Sequence, residues 1–221
     1  MGGLDFGRVL GYLPDLVGGV RLTLGLSAVS LGMGLVLGLG LALARLSGRA
    51  FLTRPAYLYI EFFRTTPPLV QIVWLYYGLP ALTGRDLGAF GAASVALGLN
   101  IAAFFAEIFR AAIAGIDRTQ WQAARTLGLT RPDTLRFVIL PQALRAVLPP
   151  TGTTVIYLVK GTALASAIGT PELLRVSQLI AVETFRPVET LTIAAVAYFA
   201  LTYPVALLFL AVERRLAAGR A

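Results

Sequence analysis

Residues 20–44 read Val20-Arg-Leu-Thr-Leu-Gly-Leu-Ser-Ala-Val-Ser-Leu-Gly-Met-Gly-Leu-Val-Leu-Gly-Leu-Gly-Leu-Ala-Leu-Ala44. Between Arg21 and Arg45 no residue is charged. About 20 apolar residues in helical conformation cross the hydrocarbon of a bilayer, so this stretch is a transmembrane helix. Four more blocks of the same kind follow, at about Ala56–Leu79, Leu87–Ala112, Leu148–Ile168 and Leu191–Val212. The whole composition agrees. Of 221 residues, 57% are hydrophobic and 14% charged, and the mean hydropathy is +0.78. A soluble domain carries about 25% charged residues, so too few remain here to cover a water-facing surface. The expected fold is an all-α integral membrane protein. It has about five transmembrane helices, and one domain occupies residues 1–221.

The chain has no His and no Cys. That excludes disulfides, thiolate nucleophiles, His bases and the common zinc sites. No metal site is expected. The net charge of +8 points to membrane topology rather than to nucleic acid. Twelve arginines, from Arg45 to Arg220, fall in the loops of one side, whereas Arg8, Arg21, Arg85, Arg175 and Arg186 fall on the other. The positive-inside rule then places the N-terminus outside and the C-terminus in the cytoplasm. Ahead of the first span, Leu4–Val17 contains Asp5, Arg8, Pro14 and Asp15. It lacks the clean apolar core of a signal peptide and is expected to form a short interfacial helix.

The arginine-rich connection after the third span, about residues 117–141, has readable local physics. Thr119 with Gln122 three residues on has the capping-box pattern. Gly128 is a natural helix stop, Pro132 can open a second helix, and Pro141 interrupts it. The expected product is a stiff helical elbow on the cytoplasmic face.

Several polar residues lie inside spans. Pro67-Pro68 should break the second span, and Glu61 and Arg64, three apart, can pair on one helix face. Asn100 lies mid-span and needs a partner. It either glues helices together or touches a polar ligand. Lys160-Gly161 interrupts the fourth span, where Lys160 is costly unless paired or near water. Gly34 and Gly38 allow close helix packing in the first span. The acids fall near span ends (Glu61, Glu107) or in loops.

The elbow resembles the EAA loop of ABC importer permeases in Gln122-Ala123-Ala124, Gly128 and Val138-Ile139-Leu140-Pro141. Gln122 stands where the family usually has Glu. The similarity extends to Arg21-Leu-Thr-Leu-Gly-Leu-Ser27, to Glu61 through Gln71 and to Asn100 with Ala106–Arg110. Leu140–Arg145 and Leu158-Val-Lys-Gly-Thr-Ala-Leu-Ala-Ser166 resemble the polar-amino-acid branch. This resemblance implies a non-catalytic permease of the bacterial plasma (inner) membrane, importing a polar amino acid. ATP and magnesium would be bound by a separate ATPase pair on the cytoplasmic face, and no cofactor by this chain. A second permease subunit and an external solute-binding protein would complete the assembly. Trp121, Gln122, Ala123, Ala124, Gly128 and Pro141 would couple to the ATPase. Asn100, Lys160, Gly161, Thr162 and Ser166 would line the substrate path. The only lysine follows Val159, so no Walker A loop exists in this chain. A gradient-driven transporter or channel is the main alternative, and it would need mid-span carboxylates. An intramembrane hydrolase using Ser166 and Lys160 fits less well, since six residues separate them onto different helix faces.

Overall fold

A computed structural model describes residues 4–218. Arg220, one of the arginines used for orientation, lies outside them. The described chain is helical between short connections. Helix α1 (Phe6–Leu10) is capped by the Asp5 carboxylate on Gly7 N–H. Helix α2 (Leu13–Leu46) then begins with Pro14 in its first turn, where a missing N–H costs nothing. The expected interfacial helix therefore stops at Leu10, and the remainder of Leu4–Val17 extends the first span outward. Val9 is fully buried, so α1 is packed down against the bundle.

Helix α3 (Ala50–Thr65) stops at Thr66-Pro67, and α4 (Pro68–Val73), a π-helical turn (Trp74–Gly78) and α5 (Leu79–Thr83) complete the second span. Helix α6 (Gly88–Ala114) is the third. Next come α7 (Arg118–Thr126), α8 (Arg131–Asp133) and a π-helical stretch (Thr134–Ile139). The π stretch leads without a break into α9 (Leu140–Gly161). Pro141 thus lies within a continuous helical run, just after the π-helical stretch, and does not interrupt it as expected. The chain goes on as a 3-10 helix (Thr162–Ile168), turns at Gly169, and runs through α10 (Leu173–Thr184) into α11 (Pro187–Ala218).

By length and composition, α2, α6 and α11 are each able to cross a membrane. The second and fourth spans are assembled from broken pieces. Burial ranks the three: 67% of the apolar window of α6 is buried, against 33% for α2 and 11% for α11. Helix α6 is therefore the central post. Its seam with α2 is closed by glycine. A Cβ on Gly38 would lie 2.7 Å from Phe105 Cβ and 2.9 Å from Ala102 O. Leu26, Ile72, Leu97, Ile101, Phe105 and Leu158 fill the core around this seam.

Candidate functional site

Two prolines create the first feature. In a continuous helix, Phe63 O would accept from the N–H of residue 67, and Pro67 has none. Two side-chain amides replace it. Asn100 Nδ2 donates to Phe63 O at 2.8 Å, and Gln71 Nε2 donates to Phe63 O and Thr66 O at 3.1 and 3.0 Å. The break between α3 and α4 is thereby sewn to the middle of α6. A carbonyl can only accept, so the amide nitrogen of Asn100 must face Phe63, which leaves its oxygen as an available acceptor.

The fourth span arrives at the same place; it is not interrupted at Lys160-Gly161 as expected, since Gly161 and Thr162 keep helical dihedrals and α9 tightens into the 3-10 helix. A cleft of about 240 Å³ is lined by Pro68, Asn100, Tyr157, Lys160, Gly161 and neighbouring leucines. Asn100, Lys160 and Gly161 are thus brought together. Thr162 is not among the lining residues; it is fully buried and donates to Val159 O at 2.7 Å. Ser166 is half-buried and also lies off the cleft. Lys160 is exposed and, among the described residues, forms no ion pair. A cation without a carboxylate at this depth needs water or a ligand.

Directly along the same groove lies a larger cavity of about 670 Å³, between Arg64, Phe104, Glu107, Pro150, Thr153 and Thr154. The rings of Tyr157, which lines the first space, and Phe104, which lines the second, lie 5.5 Å apart, and the Arg64 guanidinium lies 5.7 Å from the Phe104 ring centre. The expected Glu61–Arg64 pair is absent among the described residues. Arg64 faces the π surface of Phe104 instead, a favourable placement for guanidinium. Glu107 is taken by Arg110, with a shortest contact of 2.6 Å.

The elbow forms a separate surface. Its N-cap is Asp117, whose carboxylate accepts from Thr119 N–H at 2.8 Å. That bond holds Asp117 below the usual carboxylate range. The Thr119–Gln122 capping box is therefore not used, because the helix starts two residues earlier than that pattern requires. At the far end Gly128 has φ +75°, Leu129 N–H reaches Ala124 O at 3.1 Å, and Gly128 N–H reaches Arg125 O at 3.0 Å. This left-handed glycine closure reverses the chain toward Pro132. Gln122, Ala123 and Pro141 are exposed, Trp121 is half-buried and Ala124 is buried.

One polar centre escaped the sequence reading. Glu172 looked like a loop acid and is fully buried. Its carboxylate accepts from Leu174 N–H, Arg175 N–H and Tyr198 Oη at 2.9, 2.8 and 2.6 Å. Leu173 N–H donates to Thr23 Oγ1 at 3.2 Å. Glu172 therefore caps α10 and clasps it to α11, while Leu173 N–H ties it to α2. The available signal was a Glu directly before an apolar helical run, together with a Thr and a Tyr inside spans that required partners.

Comparison with known proteins gives a consistent answer. The family described as "Binding-protein-dependent transport system inner membrane component" matches residues 34–218. The glutamine transport system permease protein GlnP of Escherichia coli (strain K12) is 37% identical over 96% of this chain and 97% of its own length. The arginine transport system permease protein ArtQ of Bacillus subtilis (strain 168) is 35% identical over the same shares. A crystal structure of an amino acid ABC transporter with histidines superposes with a TM-score of 0.91 at 37% identity, covering 97% of this chain and 100% of that one.

Proposed function

This chain belongs to the binding-protein-dependent inner-membrane permeases and is the non-catalytic permease subunit of an amino-acid ABC importer, and from that premise we propose where its substrate path and its ATPase contact lie. Such a system implies an ATPase, a second permease and a binding protein as partners. The path runs along the groove between α3, α6 and α9. The observation that carries this reading is the meeting of the broken second span with the end of α9, where it tightens into a 3-10 helix, at Asn100, Lys160 and Gly161. Broken helices at membrane depth line cavities, because only there can their unpaired backbone groups find partners. Thr162 and Ser166 support the wall from behind.

The exposed cations Arg64 and Lys160 cannot face lipid at low cost. A second permease subunit, a copy or a homologue, covers this face and encloses the groove. The elbow docks into the ATPase, a helix-in-groove contact made by Trp121, Gln122 and Ala123, with Ala124 buried on the inner side of the helix. Gly128 and Pro141 set its direction. The N-terminus faces outward and the C-terminus the cytoplasm, a reading supported by the arginine distribution. ATP binding closes the ATPase pair, moves both elbows, and opens the groove outward. The ligand is a polar amino acid, neutral or acidic rather than cationic, because the groove wall offers cations and no uncommitted carboxylate.

The test is reconstitution with the binding protein and ATPase encoded beside this chain. ATP-dependent uptake of an amino acid, abolished by Lys160→Met together with Asn100→Leu but retained at the level of complex assembly, is the expected outcome. Uptake driven by an ion gradient without the ATPase would instead support a secondary transporter.

A further inference from the structure

We infer that Glu172 is a positioning residue of the substrate path: through Tyr198 and Thr162 it fixes the turn of chain that presents Lys160 and Gly161 to the cleft. The inference rests on the path assigned above and adds to it a residue that does not touch the ligand.

Glu172 is fully buried, and among the described residues it has no ion pair. A buried carboxylate is costly unless hydrogen bonds replace its water. As the N-cap of α10 it accepts from the N–H groups of the second and third helical residues, Leu174 and Arg175. Serine, threonine, asparagine or aspartate usually provides such a cap, and a hydroxyl would provide it without burying a charge. Capping therefore does not explain a glutamate here. The greater length of its side chain is used at the third bond, where Tyr198 Oη donates to Oε2 at 2.6 Å.

Tyr198 carries the constraint toward the path. Its oxygen faces the hydroxyls of Thr23 and Thr162. Thr162 is fully buried and donates to Val159 O at 2.7 Å. Lys160 and Gly161 lie between those two bonded residues, so the clamp encloses the part of the chain that lines the cleft. A backbone route leads to the same place. Glu172 N–H reaches Thr170 O at 2.8 Å, and Thr170 N–H reaches Ala165 O, in the 3-10 helix, at 3.2 Å. The far end of the clamp is held by close packing. A Cβ on Gly19 of α2 would lie 2.9 Å from Leu173 Cα, and Leu173 N–H donates to Thr23 Oγ1 at 3.2 Å. Glu172 thus stands where α2, α10 and α11 meet, and Tyr198 transmits that fixed point to the turn that carries Lys160.

The test separates capping from positioning. Glu172→Asp keeps a good N-cap but withdraws the carboxylate from Tyr198 by one methylene. Tyr198→Phe leaves the cap complete and removes only the link. The chain has no Cys, so Gly161→Cys supplies a single thiol, and a Cβ there meets only Leu97, at 3.7 Å. The rate at which methanethiosulfonate ethylammonium modifies that thiol is measured in lipid nanodiscs, in the complex with a cysteine-free ATPase. Glu172→Asp and Tyr198→Phe are each expected to change the rate by about fivefold or more, the lower end of coupling between linked sites. Without the added cysteine, each should lower ATP-driven uptake at matched protein levels. A thiol placed instead on the elbow, Gln122→Cys, should keep its rate in both variants, whereas general loosening of the fold would raise both rates and overturn the inference. Parental rate and uptake in Tyr198→Phe would overturn it too, and so would a Glu172→Asp variant that behaves as the parent, because capping alone would then suffice. If Glu172→Asp does not accumulate, Tyr198→Phe decides alone. The path has its own readout: uptake that survives complete modification of Gly161→Cys defeats the path reading. A block of uptake on modification, with rates unchanged in both variants, defeats this inference alone.

Discussion

Helix α6 has two faces built on opposite principles. Toward α2 it is dry and interlocked: Gly34 and Gly38 let the backbones approach, and Ile101 and Phe105 fill the space. Toward α3 and α9 it is polar and open: Asn100, Phe104 and Glu107 border cavities where the second span is broken and α9 tightens into a 3-10 helix. Within two turns the same helix serves as anchor and as wall. Rigidity on one side is what allows movement on the other, because a path that opens and closes needs a fixed reference against which its far wall can shift.

The strongest way to break that contrast is to add atoms to the dry face. At Gly38 a new methyl meets backbone (Ala102 O at 2.9 Å, Ala106 N at 3.2 Å) as well as Phe105 Cβ. At Gly34 the closest atom, 2.2 Å away, is Cγ2 of Ile101, a methyl on the branched β-carbon of a side chain whose first torsion is nearly fixed in a helix. Overpacking costs about 1–3 kcal/mol and sometimes more, partly offset by alanine's helix propensity of about 1 kcal/mol over glycine. Gly38→Val should therefore prevent accumulation of folded permease. Gly38→Ala and Gly34→Ala should each lower the thermal midpoint of the detergent-solubilised complex. An unchanged midpoint in either variant would mean that the seam is looser than its geometry implies.

The dry face was legible in the sequence and the wet face only in part. Gly34 and Gly38 sit four apart in an otherwise apolar helix, and one pattern carries both position and consequence. Pro67-Pro68 likewise announced a break. Nothing local said that Gln71 and Asn100 would both repair it, since Asn100 is remote in sequence and its partner is a backbone carbonyl. Arg64 was misread because spacing of three along a helix suggests Glu61, whereas the choice of partner is made by the Phe104 ring on another helix. Glu172 was hidden for a similar reason. Gly169-Thr-Pro-Glu172 has the composition of an exposed turn, yet it is packed level with Thr23 and Tyr198. Those residues lie ten and eleven positions inside α2 and α11, about 15 Å from the helix starts.

The next largest effect belongs to the elbow, which transmits force from outside the bundle. Gly128 has open space around it, but its φ of +75° excludes a branched side chain. Gly128→Val should misdirect Leu129 onward while leaving the α2–α6 seam untouched. Normal membrane levels with substrate-stimulated ATPase activity near the uncoupled rate are expected in proteoliposomes. Full stimulation would remove Gly128 from the coupling path.

A sharper comparison sets Asn100 against Gln71. Both serve Phe63 O, so losing either leaves one donor in place, and each single change to Leu should cost about 1 kcal/mol of stability. If the stitch were their whole purpose, uptake would fall equally in the two variants. Asn100 also borders the cleft and Gln71 does not, so Asn100→Leu should reduce uptake at least tenfold more than Gln71→Leu at matched protein levels. Equal losses would reduce Asn100 to a structural amide.

The smallest effect is expected at Gln122. Its side chain is exposed on α7, and the helix needs nothing from it, since Asp117 provides the cap and Gly128 the stop. Gln122→Glu should therefore leave the permease's own stability within about 0.5 kcal/mol of the parent. Any change must arise at the contact with the ATPase. With docking carried by shape and by Trp121 and Ala123, the new charge is tolerated and the complex binds as before. A groove that adapted to a neutral residue by placing an acid opposite would repel it, and salt would screen that repulsion over roughly 8–10 Å. The measurement is affinity of the permease for its ATPase across an ionic-strength series, variant against parent. Salt-independent parity is the expected outcome. Weakening that disappears at high salt would show that the neutral residue at 122 is matched by charge on the partner, and that the elbow reads electrostatics as well as shape.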